Sequence, residues 1–369
     1  MKKSIYLLIS LFIIILLSAC GEAENSGQIE NLPSSESKAK ESLLEDEKTS
    51  AQHSVPDRDL KVHFIDVGQG DSTLLQFSDH EQEYAILIDA GDFTGTEVID
   101  YLKKEKIKVV DLAIGTHPDA DHIGQLDEVI HSFDVGEVWL SGNNSDSDTF
   151  AAVLEAINRE DVNYHEPRSG EQYDIGPLAL YVLHPKEITG DGNKESISIK
   201  IVYGNISFIF TGDASIESEK EMIDRGMDLK ADFLHLGHHG AATSTSERFL
   251  EAVSPKIAIY SAGADNPYGH PDIDVINRIK SRGIKIYGTD IHGTIVVATD
   301  GRNFTINTER EEKLQNKTVS DNETGKQNDE PNKKISENGC IDIDNAPIEE
   351  LEKIIHIGPE RAKEVMEGR

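Results

Sequence analysis

The chain contains little cysteine and few basic residues, and each shortage excludes a class of protein. Its 369 residues include only two cysteines, Cys20 and Cys340, so neither a disulfide framework nor a cysteine-ligated zinc site can form. Any metal must therefore be bound by histidine and carboxylate side chains. Lysine and arginine total 36 against 68 acidic residues, and the formal net charge of -32 repels phosphate backbones. Because salt screens charges beyond about 10 Å, a local metal site could still engage a phosphodiester.

The N-terminus carries an export pattern. Lys2 and Lys3 precede an apolar run at residues 5–17, which is typical of a secretory signal and too short to span a bilayer comfortably. The run ends in Leu-Ser-Ala-Cys-Gly, which resembles the lipobox of bacterial lipoproteins. That resemblance implies cleavage before Cys20, a lipid on its thiol, and anchoring on the extracellular face of the cell membrane. An ordinary cleaved signal with an incidental cysteine is the alternative.

Composition divides the rest of the chain into four parts after the signal at residues 1–20. Residues 21–59 are rich in glutamate, serine and lysine, which predicts a disordered tether. Residues 60–307 alternate strand and helix patterns and predict a globular α/β domain. A polar linker is predicted at 308–340. Residues 341–369 regain the pattern of two short helices around a glycine-containing turn.

Within the globular part, apolar periodicity predicts the following elements. Strands are expected at residues 60–66, 72–77, 84–88, 109–115, 137–140, 178–183, 197–203, 206–210, 233–236, 257–260, 285–287 and 293–298, and helices at 96–104, 126–130, 150–157, 215–225 and 273–281.

A cluster of metal-capable side chains follows the predicted strand 109–115. Residues 116–124 are Thr-His-Pro-Asp-Ala-Asp-His-Ile-Gly, with His117, Asp119, Asp121 and His122 inside six positions. Alternate side chains of an extended segment point the same way, so the first three should share one direction, while His122 turns away as a helix begins. One loop can thus supply ligands to two adjacent metal ions. A solvated turn with a helix-capping aspartate is the alternative.

Several spaced motifs, taken together, resemble one family. They are Asp-Val-Gly-Gln-Gly-Asp-Ser at 66–72, the metal loop, Phe-Thr-Gly-Asp at 210–213, Leu-Gly-His-His-Gly at 236–240 and Tyr-Gly-His-Pro at 268–271. Over residues 60–307 the chain resembles the metallo-β-lactamase fold, specifically the extracellular hydrolase domain of ComEC-type competence proteins. The resemblance implies an αββα sandwich and a metal-dependent phosphodiesterase or nuclease that acts on DNA through a metal-activated hydroxide.

The resemblance also implies a site that binds two divalent ions. His117 and Asp119 would hold the first ion and Asp121, His122 and His238 the second, with Asp213 bridging them. His239 and His270 would join Asp121 in catalysis by contacting the transition state or the leaving oxygen. Spacing leaves open which of His238 and His239 is the ligand.

The metal preference follows from departures from the general fold. That fold has histidine where this chain has Asp119, and a second histidine where this chain offers only Asn193, Glu195 and Ser196. Oxygen-richer ligation favours Mn²⁺, while the remaining imidazoles still suit Zn²⁺. Asp71 and Asp89 lie at turns beside the metal loop, where they would either orient ligand histidines or serve only as turn residues.

Residues 341–369 resemble the helix-hairpin-helix of ComEA-type DNA receptors, whose turn amides bind a phosphate. Ile357, Gly358 and Arg361 are the DNA contacts this implies, although His356 stands where that motif commonly has glycine. A protein-contact role is the alternative for this tail. For the whole chain, the alternatives to a DNA-cleaving enzyme are a hydrolase of small esters, lactams or phosphoesters and a non-catalytic DNA-handling receptor.

The lipobox resemblance yields the first prediction. Cys20→Ser removes the thiol that would carry the lipid, so we expect the variant to appear in the medium rather than in the membrane fraction. Immunoblots of both fractions measure this. Retention of the variant in the membrane after signal cleavage would contradict lipid anchoring.

Overall fold

The computed structural model describes residues 59–311, in which strands and helices alternate. The strands are β1 Leu60–Phe64, β2 Thr73–Asp79, β3 Gln82–Ile88, β4 Val109–Val110, β5 Leu112–Gly115, β6 Asp134–Val135, β7 Glu137–Leu140, β8 Asn163–His165, β9 Gln172–Ile175, β10 Leu178–His184, β11 Ser198–Tyr203, β12 Ile206–Phe210, β13 Phe233–His235, β14 Ile257–Tyr260, β15 Lys285–Gly288, β16 Ile295–Thr299 and β17 Phe304–Thr308. The helices are α1 Glu97–Lys104, α2 Ala120–Ile123, α3 Leu126–Ser132, α4 Asp148–Arg159, α5 Ile216–Asp224, α6 Glu247–Val253, α7 Ile273–Ser281 and α8 Thr289–His292.

Some predictions lie outside the described residues. They are the signal and tether, the lipidated Cys20, nearly all of the linker, and the tail with Ile357, Gly358 and Arg361. No helix among residues 59–311 has the length and apolarity needed to cross a membrane.

Two sheets are stacked between two layers of helices, the predicted αββα order. The first sheet has the strand order β17-β16-β1-β2-β3-β5-β7-β8 and the second β15-β14-β13-β12-β11-β10-β9. Apolar side chains of both sheets form the central core. A second cluster joins the first sheet to α1, α3 and α4, and a third joins the second sheet to α5, α6 and α7. Each sheet therefore buries both of its faces.

The predicted hairpin at the start of the domain is present, and its turn reaches the metal loop. β1 and β2 pair antiparallel around residues 65–72. Gly70 has φ +143, and a Cβ built there would lie 2.5 Å from the backbone oxygen of Asp121. Only glycine permits that close approach, so the turn can lie directly against α2.

The single strand predicted at 109–115 is two strands. β4 pairs with β6, whereas β5 lies between β3 and β7 in the first sheet. The break is at Asp111, whose N–H donates to the Ala85 carbonyl and whose carboxylate accepts from the Ala85 N–H, both at 2.8 Å. The strand is interrupted by a polar side chain that takes the place of a backbone hydrogen-bond partner. Apolar periodicity alone does not reveal such an interruption.

Several elements were not predicted. β8, β9 and β17 are short and half-exposed strands at or near sheet edges, so they lack a strong apolar pattern. The last strand reaches Thr308, and Glu309 and Arg310 continue its contacts by bonding to Thr294 and Asp66. The chain is thus ordered a few residues past the predicted boundary.

The inter-sheet core yields a stability prediction. Phe208 is 1% exposed and stacks on Phe233 with ring centroids 4.5 Å apart. Phe208→Ala should lower the free energy of unfolding by about 3–5 kcal/mol, because it removes buried area and leaves a cavity. Urea titration measures the loss. The matched control is Leu154→Ala on α4, which is 41% exposed and should change stability by no more than about 0.5 kcal/mol. Equal losses in both variants would contradict this account of the core.

Candidate metal centre

Loops from both sheets meet at the centre, and each follows the C-terminal end of a strand. Backbone contacts join them: the Ile197 N–H donates to the Thr116 carbonyl at 2.9 Å, and the His238 N–H donates to the Gly212 carbonyl at 3.1 Å. Gly212 has φ +50, and a Cβ there would lie 2.7 Å from the Thr116 hydroxyl, so glycine is required. The predicted site residues these loops carry are His117 and Asp119 after β5, Asp213 after β12, His238 and His239 after β13, and His270 after β14.

The metal loop differs from its predicted conformation at one residue. Asp119 is extended, with φ -72 and ψ 146, and it is the N-cap residue of α2. Asp121 was expected in the extended segment and instead lies in α2 with His122. Helical geometry therefore begins already at Ala120, and Asp121 points towards His239 rather than sharing the direction of His117.

Asp213 occupies the middle of the first group of side chains. Its carboxylate is 3% exposed. Oδ1 lies 3.2 Å from His122 Nε2, and Oδ2 lies 3.7 Å from His117 Nε2 and 3.3 Å from His238 Nε2. Burial raises the pKa of Asp213, but the charges of His122 and His117 dominate and hold it well below the ordinary range. The carboxylate is therefore ionised and faces imidazoles on several sides.

A second group lies beside the first and shares His122. His239 Nε2 lies 3.2 Å from Asp121 Oδ2, and His239 Nδ1 lies 3.7 Å from Asp71 Oδ1. Burial lowers the pKa of His239, but the Asp71 charge, the Asp121 hydrogen bond and the Asp213 charge raise it to about 10. Burial raises the pKa of Asp121, and the bond and charge of His239 together with the His122 charge lower it to about 2.

His238 and His239 divide between the two groups, a choice that spacing left open. Both residues have left-handed backbones, with φ 53 and 55, which non-glycine residues adopt rarely and which concentrate at functional sites. This conformation turns His238 towards Asp213 and His239 towards Asp121. The geometry thus puts His239, rather than the expected His238, beside Asp121.

The four imidazoles share one arrangement that suits metal binding. Each directs Nε2 towards the carboxylates while its Nδ1 is held by another group, which fixes the ring orientation. The Nδ1 partners are the Thr116 hydroxyl for His117 at 3.1 Å, Asp89 for His122 at 2.8 Å, the Thr243 hydroxyl for His238 at 3.1 Å and the Ser261 carbonyl for His239 at 3.1 Å.

The donor set fits divalent metal ions. Nε2 of His117 and His122 and Oδ1 of Asp213 are buried atoms without a hydrogen-bond partner among the described residues. Such atoms are costly unless something else satisfies them. Ligand atoms of His117, His122 and Asp213 lie within 4.8 Å of one another, as do those of Asp71, His122 and His239. The first of these groups contains the unsatisfied atoms and is arranged to hold a cation, whereas Asp71 approaches the Nδ1 side of His122 and His239.

The two aspartates predicted at turns both contact ligand histidines. Asp89 accepts from His122 Nδ1 and also from the N–H and hydroxyl of Thr116, at 2.7 and 2.8 Å. Asp71 is buried and lies 3.6 Å from His235 Nε2 as well as close to His239. His235 was considered a strand residue and is one, but it also lies against this carboxylate.

Asn193 contributes to the first group. It occupies the region where the general fold has a histidine, and its side-chain amide lies 3.3 Å from Asp213 Oδ2. Ser196 Oγ accepts from the Asp213 N–H at 3.1 Å, whereas Glu195 turns away to accept from Thr189. Asp119, with a side chain that is 49% exposed, lies 3.6 Å from His117 Nε2. This side of the centre is therefore rich in oxygen.

His270 lies at the outer edge of the centre. Its ring centroid is 5.5 Å from that of His238 and 6.3 Å from that of His239. Burial, followed by the charges of His238 and His239, lowers the pKa of His270. The ring is therefore neutral at neutral pH, and it is the predicted catalytic residue nearest to solvent on this side.

Sequence reasoning did not find the groups that hold the imidazoles in place. Thr116 and Thr243 act through their side-chain hydroxyls, and Ser261 acts through its backbone carbonyl, a group that every residue has. No residue type or spacing marks them. Only the folded arrangement identifies them as orienting groups.

Comparison with known proteins gives consistent matches. The sequence pattern of the Metallo-beta-lactamase superfamily matches residues 65–264. ComE operon protein 3 of Bacillus subtilis is 32% identical over 253 residues, 64% of this chain and 32% of that protein. Competence protein ComA of Neisseria gonorrhoeae is 28% identical over 244 residues, 65% of this chain and 32% of that protein. The match thus spans about a third of the length of these relatives. Igni18, a metallo hydrolase from Ignicoccus hospitalis, has 16% identity and a TM-score of 0.43, covering 64% of this chain and 98% of its own.

The raised pKa of His239 yields a prediction about metal uptake. Without metal, protonated His239 stabilises the fold fully below its ordinary pKa of 6.5, and this contribution is lost as pH rises through about 10. Metal binding needs neutral imidazole, so Mn²⁺ or Zn²⁺ uptake at pH 7 should release protons. Calorimetry in two buffers of different ionisation enthalpy measures the number released, and His239→Ala should release fewer. An apparent enthalpy that is the same in both buffers would contradict the prediction.

Proposed function

Because the chain belongs to the metallo-beta-lactamase superfamily of metal-dependent hydrolases, we propose that it is a phosphodiesterase that cleaves DNA. The observation that carries the proposal is the common orientation of His117, His122, His238 and His239, whose Nε2 atoms face carboxylates while Nδ1 is held from behind. A purely structural polar cluster has no need to leave buried Nε2 atoms unpaired, as those of His117 and His122 are.

We assign the ligands from the contacts described above. One ion would be held by His117, Asp119 and His238 and the other by Asp121, His122 and His239, with Asp213 between them. Asn193 stands where the general fold has a histidine and donates its side-chain NH2 to Asp213, so the first side has fewer nitrogen ligands, which favours Mn²⁺ there over Zn²⁺. Two such ions supply Lewis acidity and lower the pKa of water to near neutrality.

The chain's own residues then position the substrate. His270 is neutral and lies at the mouth of the centre, so its N–H can donate to a phosphoryl oxygen and its other nitrogen can accept a proton. Asp71 and Asp89 hold the rings of His239 and His122 in place. The charge that develops on the phosphoryl and leaving oxygens would thus meet groups that are already oriented.

DNA is the substrate favoured by the resemblance to ComEC-type proteins and by one relative that is named a competence protein and matches over this domain. The lipobox resemblance at Cys20 favours a location on the outer face of the membrane, where incoming DNA would be accessible. Contacts from Ile357, Gly358 and Arg361 in the C-terminal tail would add affinity for DNA.

A small ester, lactam or phosphoester is the second candidate substrate, and the net charge of -32 favours it because the protein repels a long polyanion. A third candidate, a non-catalytic DNA receptor, is favoured by the shortage of nitrogen ligands around Asp119. Parallel assays on DNA, a small phosphodiester and a lactam separate the first two candidates. DNA binding without turnover on any substrate would favour the third.

Removal of the central carboxylate tests the catalytic proposal. Asp213→Ala should lose bound metal and reduce turnover on the order of a thousandfold or more, since metal activation of water supplies several kcal/mol. Asp121→Ala should behave similarly. Asp119→His should retain more activity than Asp119→Ala and shift the preference from Mn²⁺ towards Zn²⁺.

Bound metal and the hydrolysis rate are measured for each variant. The control is Glu155→Ala, which removes an exposed carboxylate on α4 and should change neither quantity. If Asp213→Ala and Asp121→Ala bind no metal and still turn over substrate at the wild-type rate, the metal-dependent hydrolase proposal is refuted. The receptor is then the remaining candidate.

A further inference from the structure

An aromatic side chain beside the centre has no role in the chemistry described above. Tyr268 lies on the loop between β14 and α7 and is 67% exposed, although aromatic rings gain from burial. Its ring lies nearly parallel to that of His270, with an interplanar angle of 18° and centroids 6.0 Å apart. One position of the loop thus presents a flat apolar surface to solvent at the edge of the centre.

The ring is connected to the carboxylates by a short series of rings. His270 stacks on His239 at an interplanar angle of 26°, and His239 contacts Asp121. Tyr268 is therefore two ring-to-ring steps from the place where the scissile group would bind.

The loop that carries Tyr268 is held in one shape. The Asn266 side chain donates to the carbonyls of Gly263 and His270 at 2.7 and 2.6 Å and accepts from the His270 N–H at 3.0 Å. Pro271 packs on Gly240, where a Cβ would lie 2.7 Å away. The backbone that carries Tyr268 is therefore held in place before a ligand arrives, which lowers the entropic cost of binding.

The charges near Tyr268 favour a flat uncharged group over a phosphate chain. Asp265 and Asp272 lie on the same loop as Tyr268. Within a Debye length these carboxylates repel flanking phosphates. Affinity beside the scissile phosphate must then come from contacts without charge, and base–aromatic stacking is such a contact.

We propose that Tyr268 stacks on the base of the nucleotide next to the scissile phosphate and selects DNA whose bases are unpaired. Bases within a duplex are already stacked and paired, so they offer no free face to this ring. The inference rests on the proposed phosphodiesterase function and names its substrate class as single-stranded DNA.

The test compares Tyr268→Ala with Tyr268→Phe in the full-length protein loaded with Mn²⁺. Two substrates are used: an oligothymidylate and an oligonucleotide of equal length that lacks bases. With oligothymidylate, Tyr268→Ala should lower kcat/KM roughly tenfold, mainly through KM, and Tyr268→Phe should match the wild type. On the abasic substrate all three proteins should be equal.

Binding provides a readout that does not depend on turnover. In a chelating buffer, fluorescence anisotropy of labelled oligothymidylate should show a Kd raised roughly tenfold for Tyr268→Ala. The control is Tyr164→Ala, a half-exposed aromatic on β8, which should leave both kcat/KM and Kd unchanged.

Three outcomes would overturn the stacking role: an equal loss on both substrates, no loss on either, or a loss with Tyr268→Phe as large as with Tyr268→Ala. If the wild type cleaves the substrates and Tyr268→Ala cleaves them equally well, the stacking role is refuted and the phosphodiesterase proposal stands. Failure of the wild type to cleave either substrate removes the phosphodiesterase, and the stacking role with it.

Discussion

The rest of the site depends on a buried carboxylate, Asp213, that is surrounded by imidazoles. An ionised group at 3% exposure is tolerated only when charges or hydrogen bonds replace its water. Asp213 has His117, His122 and His238 around it. Without metal, protons on the histidines can supply part of the compensating charge, and a divalent ion can supply more. Metal affinity and fold stability are therefore linked at this residue.

The core places these groups with the accuracy they need. Phe210 ends β12 three residues before Asp213 and stacks on Phe64 of the first sheet with centroids 6.0 Å apart. Phe64 also lies 5.4 Å from His235, at the end of β13, just before the two ligand histidines. Aromatic rings from both sheets thus pack directly beneath the loops that carry the site residues. A shift between the sheets would separate the His117 loop from Asp213. Close packing of the core therefore maintains the geometry of the candidate site.

Much of this arrangement could be predicted from the sequence. Where prediction failed, there is a physical reason for the failure. The strands in the core have strong apolar patterns, and the cluster at residues 117–122 marks metal chemistry by composition. The break at Asp111 was hidden because it arises from a side chain that bonds to Ala85. The separate directions of His238 and His239 were also hidden, since they follow from two left-handed residues in succession that no propensity predicts. Local patterns give the elements, whereas tertiary contacts decide these conformations.

The acidity of the chain and the proposed anionic substrate can be reconciled by distance. Most of the charge of -32 acts over a range that salt screens, whereas groups in the centre act at contact. A phosphate in the centre would meet imidazoles and bound cations, but its neighbours along the strand would meet carboxylates such as Asp265 and Asp272. Long runs of backbone contact are therefore unfavourable for this surface. Recognition would then be restricted to the scissile group and the nucleotides immediately beside it, which is where the proposed stacking by Tyr268 would act.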